Sequence, residues 1–310
     1  MQKINVSLIG YGYWGSKLAR NFQNSNFFNL VSIVDKSKDN ISKAKRDFPL
    51  AITYKNYKDA VKVNKISLVI ISTPTRTHFE IAKFVLKNKK NALVEKPLSL
   101  SLKNVKQLEL LAKKNKKLLF VDYPFLFSGS INYIKKIIDT KKYGNLLEIE
   151  SYREQAPVRK DCDVIWDLGV HDISILNYLL NINPTKLKSK KINDGKSILS
   201  HTAYLNLKYK NKIDVFIKNS WISPTKIRLI KFKFKNAIIY CDENEPIYKI
   251  KIFKKKSKNN DYNLYVPDIN LSEPLSVMVD YIYKSIIQKN NKIFENNLNL
   301  NITKTLIKLS

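Results

Sequence analysis

The first 125 residues alternate strand-length apolar runs with helix-length amphipathic ones, and this rhythm restricts the fold more than any other feature. The runs read INVSLIG (4–10), LVSIVD (30–35), SLVIIST (67–73), ALVEKP (92–97) and LLFVDY (118–123). Helical periodicity fills the gaps at 15–23, 37–47, 77–88 and 101–115. Strands that are apolar throughout are buried on both faces, which predicts a parallel, doubly wound sheet covered by helices. The fourth helix is capped by Ser99 or Ser101 and closes on lysines, which suit the negative end of a helix dipole.

After residue 125 the rhythm changes. A helix at 129–142 leads through Gly144 to a strand at 145–154, then to DVIWDLGVHDISILNYLL (163–180), which reads as a helix. Residues 185–254 are strand-like, and alternation such as LIKFKFK indicates a sheet with one wet face. A helical pattern returns at 274–289. The expected architecture is α/β. A Rossmann doubly wound parallel sheet spans 1–123, and 124–310 form an α+β domain for substrate binding and oligomerisation, with an open, mostly antiparallel sheet.

Charge and composition narrow the function. Fifty-six Lys and Arg against 26 Asp and Glu leave a net charge of +30, so a nucleic-acid partner has to be weighed. The dense runs KNKKN (87–91), KKNKK (113–117) and KIFKKKSKNN (251–260) fall at helix ends and in a loop. No Arg-rich recognition helix or aromatic-interleaved basic strand accompanies them. A solvated basic surface, whose field gathers anionic ligands, is preferred over nucleic-acid binding. No apolar run approaches the roughly 18 residues that span a membrane. The opening MQKINVSLIGYG enters a strand directly, so a cytoplasmic location is expected. Cys162 and Cys241 lack CxxC spacing, so neither a zinc site nor a disulfide framework is indicated.

Gly10, Gly12 and Gly15 have GxGxxG spacing at the end of the first strand and the start of the first helix. In that setting the first glycine permits a tight turn, the second lets a pyrophosphate approach, and the third allows close helix–strand packing. Asp35 ends the second strand 20 residues beyond Gly15, where a carboxylate would hold the adenosine ribose hydroxyls. Asp35 favours NAD, whereas Lys36 and Lys38 could neutralise the 2′-phosphate of NADP. NAD is therefore expected, with NADP open. STPTRTH (72–78) and VEKPLS (94–99) follow later strands, at the sheet edge where ligands bind in this architecture. Lys96 precedes a proline and is held out of the α region, from where it could stabilise a developing alkoxide.

In this order and spacing, GxGxxG, Asp35, STPT with His78, VEKPLS and WDLGVHD closely resemble the Gfo/Idh/MocA oxidoreductases. The resemblance is specific over 1–125 and 144–180 and architectural beyond. It implies a nicotinamide cofactor on the Rossmann domain and hydride transfer at a ring carbon of a sugar or cyclitol. By the same resemblance Lys96, Asp167 and His171 are catalytic, with a Lys96–Pro97 bond that is often cis. Cofactor contacts are expected at Gly10, Tyr11, Gly12, Tyr13, Trp14, Gly15, Asp35, Thr73, Pro74, His78, Glu95 and Lys96. His78 is expected to order its loop more than to do chemistry. Substrate contacts are expected at Lys96, Tyr123, Arg153, Arg159, Asp167 and His171. Many sugar-oxidising members carry a carboxylate three residues after the His, where this chain has Ser174. Likeness to members from surface-polysaccharide and nucleotide-sugar pathways points to a nucleotide-linked sugar, with a free sugar or cyclitol as the second reading and a non-catalytic nucleotide-binding protein as the third. A homodimer or homotetramer is expected, because open sheet faces are usually covered.

The chemistry is consistent with that assignment. A secondary alcohol loses a proton as its hydride leaves, and neutral His171, with an ordinary pKa of about 6.5, suits a base at neutral pH. Asp167 lies one helical turn away, able to orient the imidazole. Read at helical spacing, Ile165, Leu168, Ile175 and Leu179 form an apolar stripe, while Asp167, His171, Ser174 and Tyr178 line a cleft. Gly169 within a helix costs about 1 kcal/mol against Ala, which implies a close approach there. A metal held by Asp167 and His171 is disfavoured, with three histidines in the chain and no third ligand in a clear motif.

Overall fold

The computed structural model describes residues 3–158, 162–193, 195, 199–256, 261–294 and 297–310. The chain forms two compact units, Met1–Pro124 with Glu273–Thr303, and Phe125–Ser272 with Lys304–Ser310.

In the first unit, strands β1 (Ile4–Ile9), β2 (Phe28–Val34), β3 (Ile52–Tyr54), β4 (Leu68–Ile71), β5 (Asn91–Glu95) and β6 (Leu119–Asp122) build one sheet, in the order β3-β2-β1-β4-β5-β6. Every pairing is parallel. The intervening helices are α1 (Tyr13–Asn24), α2 (Lys38–Asp47), α3 (Tyr57–Val61), α4 (Thr75–Lys87) and α5 (Leu102–Lys114). Val6, Leu8, Leu68, Val69, Ile70, Ile71, Leu93 and Val94 are fully buried, as continuous apolar strands require. The strand order reverses between β1 and β4, so the loops after these strands adjoin at the carboxyl edge, where this architecture binds ligands.

Two short elements, β3 and α3, have no counterpart among the sequence expectations. At three and five residues they are too brief for periodicity to register, and Ile52 is exposed at the sheet edge.

The late helix α8 (Pro274–Gln288) also departs from expectation, because it packs with the first unit and not with 124–272. Arg20 meets Glu273 at 2.8 Å, and Tyr283 stacks on Phe27 at 4.2 Å. Just beyond the helix, Phe294 packs on Phe120 and Tyr123. An amphipathic stripe shows that a helix packs, but it does not name the surface that receives it.

In the second unit, strands β7 (Leu146–Glu154), β8 (Lys186–Ile192), β9 (Thr202–Lys208), β10 (Asp214–Ser220), β11 (Ile227–Phe234), β12 (Ala237–Asp242), β13 (Ile250–Lys255) and β14 (Tyr262–Tyr265) form the other sheet. Its order is β14-β13-β12-β11-β7-β10-β9-β8, antiparallel except where β7 meets β10. Helices α6 (Gly129–Thr140) and α7 (Val170–Leu180) belong to this unit, and α9 (Leu298–Leu309) crosses the division between the two. One sheet face is buried through Ile149, Leu205, Ile217, Ile230, Phe232 and Ile239. The other carries Tyr152, Tyr204 and Phe216 in ring contact and the Glu150–Lys231 pair at 2.7 Å.

Candidate active site

The three glycines divide their work as their positions require. Gly10 has φ +95°, and a Cβ there would lie 2.3 Å from the Ser72 carbonyl oxygen. A Cβ on Gly15 would lie 2.0 Å from the Gly10 carbonyl oxygen, so the start of α1 packs directly on the turn. A Cβ on Gly12 would meet nothing within 4 Å among the described residues, so its backbone faces open space. Gly12 also caps α1 without a side-chain acceptor, leaving first-turn N–H groups to an anion. Asp35 closes this loop from β2: Oδ2 accepts from Tyr11 N–H at 2.7 Å and Asn40 Nδ2 at 3.1 Å, and Oδ1 from Ser37 N–H at 2.8 Å. An open glycine, a helix N-terminus and a fixed carboxylate together fit the pyrophosphate and ribose of a dinucleotide.

The neighbouring aromatics take different places. Tyr11 is buried and donates to Asp47 Oδ2 at 2.6 Å, and burial with that carboxylate pushes its phenol well up. Tyr13 is exposed, with the Lys17 ammonium 4.2 Å from its ring. Trp14 reaches across the sheet edge and donates from Nε1 to Asp122 Oδ2 at 2.5 Å.

The loops after β4 and β5 are tied together by His78. Its Nδ1 lies 2.8 Å from the Pro97 carbonyl and its Nε2 2.7 Å from the Thr73 carbonyl. Burial lowers its pKa; the two carbonyl contacts oppose that shift, and the Lys96 charge adds to it. Thr77 Oγ1 donates to the Pro74 carbonyl, 2.7 Å away, and completes this turn. The Lys96–Pro97 peptide is cis, and Lys96 N–H donates to Glu95 Oε2 at 2.8 Å. Glu95 is partly exposed as a residue, but its carboxyl is enclosed, and Asp122 is its register partner on β6. Burial first, then the Asp122 charge, drive Glu95 well above the usual carboxylate range. Burial also lifts Asp122 to about 6, against the lowering effects of Trp14, Glu95 and Lys96. Tyr123, expected at the substrate, is a buried ring stacked on Phe294.

In the second unit the Asp–His segment is not a uniform α-helix. Residues Ile165–Gly169 form a π turn that runs into α7, and such turns recur at functional sites. Asp163 anchors its start, accepting from Ile165 N–H at 3.0 Å and Ser200 N–H at 3.1 Å. Asp167 is 6% exposed, and its Oδ2 accepts from Trp221 Nε1 at 3.1 Å. The His171 ring, partly exposed, stands edge-on to Phe125 at 5.2 Å. Ser174 is buried and donates to the His171 carbonyl at 2.8 Å, and Tyr178 donates to Asn132 Oδ1 at 2.6 Å. The expected polar stripe is therefore corrected: Asp167 and Ser174 are enclosed. Helix α7 is buried nearly all round, from Val170 to Leu179 except at His171 and Tyr178, so its polar residues do not form one open stripe.

Asp172, next to His171, organises a buried polar cluster. It accepts from Ser151 Oγ at 2.8 Å, Arg153 Nε at 3.1 Å and Asn219 Nδ2 at 2.8 Å. The Arg153 guanidinium also lies 4.4 Å over the Phe125 ring, with that of Arg228 at 5.4 Å. Arg153, expected at the substrate, is 2% exposed and sits in this cluster. Arg159 lies outside the described residues. The close approach expected at Gly169 is made by Asn219, whose Oδ1 would be 2.9 Å from a Cβ there. Neither Asn219 nor Trp221 had been singled out. Their signal is the two-residue register they share with Val215 and Ile217, which carries both into the buried face.

A glycine turn of this geometry on a sheet of this order is an arrangement that suits a dinucleotide. Residues 4–123 match the family described as GFO_IDH_MocA, oxidoreductase family, NAD-binding Rossmann fold. Myo-inositol 2-dehydrogenase of Thermotoga maritima is 26% identical over 184 residues, which cover 57% of this chain and 55% of that protein. The chain spans about half the length of the curated relatives it matches. Among solved structures, UDP-N-acetylglucosamine 3-dehydrogenase from Acidithiobacillus ferrooxidans superposes with TM-score 0.87 at 16% identity, over 100% of this chain and 97% of that one. A 3-ketoreductase from Actinomadura kijaniata, in complex with TDP-benzene and NADP, gives TM-score 0.88 at 12% identity, over 99% and 97%. At these identities the two structures establish the likeness of fold.

Proposed function

We propose that the protein is an NAD(P)-dependent oxidoreductase that moves a hydride between the nicotinamide and a ring carbon of a nucleotide-linked sugar. The observation that carries this is the carboxyl edge of the first sheet, where Gly12 leaves its backbone open and Lys96 is pinned by Glu95. The bound cofactor would accept or supply the hydride. Gly10 to Gly15 and Asp35 would hold it, with Thr73, Pro74 and His78 shaping the adjoining loop. Lys96 would stabilise the alkoxide that develops as the hydroxyl proton leaves. His171 would take that proton at Nε2, because its Nδ1 is buried. Asp167, itself held by Trp221, would stabilise the imidazolium. In the reducing direction His171 donates the proton.

NAD is the preferred cofactor because Asp35 would repel a 2′-phosphate, while Lys36 and Lys38 keep NADP as the competing choice. The two solved relatives, a UDP-sugar dehydrogenase and a ketoreductase holding a TDP ligand, favour a nucleotide-linked substrate. The Thermotoga relative supports a second reading, a cyclitol or free-sugar dehydrogenase. A homodimer or homotetramer covering the open sheet face, with its Tyr152, Tyr204 and Phe216 rings, is proposed on the same footing. Among the described residues no helix is long and apolar enough to cross a membrane.

The test is a screen of UDP- and dTDP-sugars, free sugars and inositols with NAD(H) and NADP(H), following absorbance of the reduced cofactor. Turnover of a nucleotide sugar is expected. Turnover confined to free sugars or inositols selects the second reading, and no turnover of any of them overturns the proposal.

A further inference from the structure

Arg153 on β7 and Arg228 on β11 are register partners, so both guanidinium side chains leave the sheet on the same face. Like charges placed opposite one another across a strand pair repel, so neighbouring groups have to hold them there. One such group is Asp172, which takes Arg153 Nε at 3.1 Å and is itself fixed by Ser151 Oγ and Asn219 Nδ2, each at 2.8 Å. The other is the ring of Phe125, whose centroid lies 4.4 Å from the Arg153 guanidinium carbon and 5.4 Å from that of Arg228. A phenyl face attracts such cations, and a planar guanidinium stacks on it as an ammonium does not. The same ring meets the imidazole of His171 with centroids 5.2 Å apart and an interplanar angle of 82°.

These contacts close a circuit. His171 and Asp172 are consecutive in α7, Asp172 grips Arg153, Arg153 stacks on Phe125, and Phe125 stands against His171. The imidazole is thereby tied to β7 twice, once through the main chain and once through a ring that cannot shift without unstacking a buried ion pair. The χ2 torsion of a histidine is broad, yet a group that exchanges a proton with substrate has to present one nitrogen in one direction. We infer that Phe125, clamped by Arg153, is a positioning residue that fixes the ring plane of His171 for the reaction proposed above. Phe125 takes no part in the chemistry and acts by stopping the imidazole from turning. His171 is only partly buried, so this contact does for it what enclosure does for Asp167. A ring that merely filled space could be exchanged for another apolar side chain without moving the imidazole.

The role rests on the proposed activity, but the geometry can be read without substrate. In nuclear magnetic resonance spectra of the whole chain with ring-labelled histidine, the His171 resonances are those lost in His171→Gln. They should show Overhauser contacts to the Phe125 ring in the wild type and should shift in Phe125→Leu. Absence of either overturns the inference, whatever the protein turns over. In kinetics, Phe125→Leu should lower kcat about 10-fold or more with little change in KM, since a misplacement of about 1 Å can cost about 100-fold. Phe125→Tyr keeps the ring and should restore most of that loss. Arg153→Lys keeps the charge beside Asp172 but not the stack, and should lower kcat in the same direction. Wild-type kcat in Phe125→Leu, or equal kcat in the Leu and Tyr variants, would refute the positioning role. If Phe125→Leu does not fold, Arg153→Lys decides in its place, with wild-type kcat or an unshifted His171 signal refuting the role. A wild-type chain that turns over none of the substrates screened loses the proposed activity, and the spectra then decide alone whether Phe125 sets the imidazole.

Discussion

The indole Nε1 of Trp221 donates to Oδ2 of Asp167 at 3.1 Å, so a residue just past β10 fixes the carboxylate of the Asp–His segment. Trp221→Phe keeps much of the buried volume and deletes only the donor. It should lower stability by about 1–3 kcal/mol, because Asp167 is enclosed and loses a partner. Urea unfolding measures this. Under the proposed mechanism, in which Asp167 supports His171, steady-state kinetics should show kcat falling more than KM rises.

Asp172 and Arg153 form an ion pair with side chains only 1% and 3% exposed. Asp172→Ala would strand a buried guanidinium and should destabilise the second unit by about 3–5 kcal/mol. Replacing both residues with apolar ones of similar volume should recover much of that loss. Thermal and urea unfolding of the single and double variants would show it, and a double variant as unstable as Asp172→Ala would refute the pairing account.

The glycines should separate into two classes. Gly10→Ala and Gly15→Ala place a Cβ against backbone oxygens at 2.3 Å and 2.0 Å and should destabilise the apo protein. Gly12→Ala meets nothing within 4 Å among the described residues, so apo stability should hold while NADH affinity falls. Unfolding midpoints and fluorescence titrations, run in parallel, distinguish the classes.

Opposed pH slopes are expected from His78 and Asp122. The pKa of His78 is lowered from 6.5, so the unfolded chain takes up that proton first and stability is lost as pH falls below 6.5. Asp122 is raised from 3.8 to about 6, so its contribution is present below 3.8 and is lost as pH rises through about 6. His78→Gln should flatten the acid-side loss, and Asp122→Asn should remove the opposing trend. Urea midpoints at about pH 5 and about pH 8 resolve the two signs.

Much of the first unit was legible because its strands are apolar throughout and its glycines sit at a strand–helix junction. Gly10 and Gly15 are crowded by backbone oxygens, while Gly12 meets nothing within 4 Å among the described residues. What escaped depends on tertiary register. Glu95 and Asp122 lie far apart in sequence and meet only because β5 pairs with β6. Helical spacing brought Asp167 and His171 together, but it could not show the π turn or the indole that claims Asp167. The resemblance places Arg153 at the substrate, yet strand alternation turns it inward to Asp172. The surface that receives α8 was likewise invisible in its own periodicity.

The most direct measurement is equilibrium titration of the wild-type chain with NADH and NADPH, followed by quenching of tryptophan emission and enhancement of the nicotinamide signal. Saturable binding of at least one of them, weakened by Gly12→Ala, is the predicted result. Failure of both to bind at high micromolar concentration would contradict the account at its base.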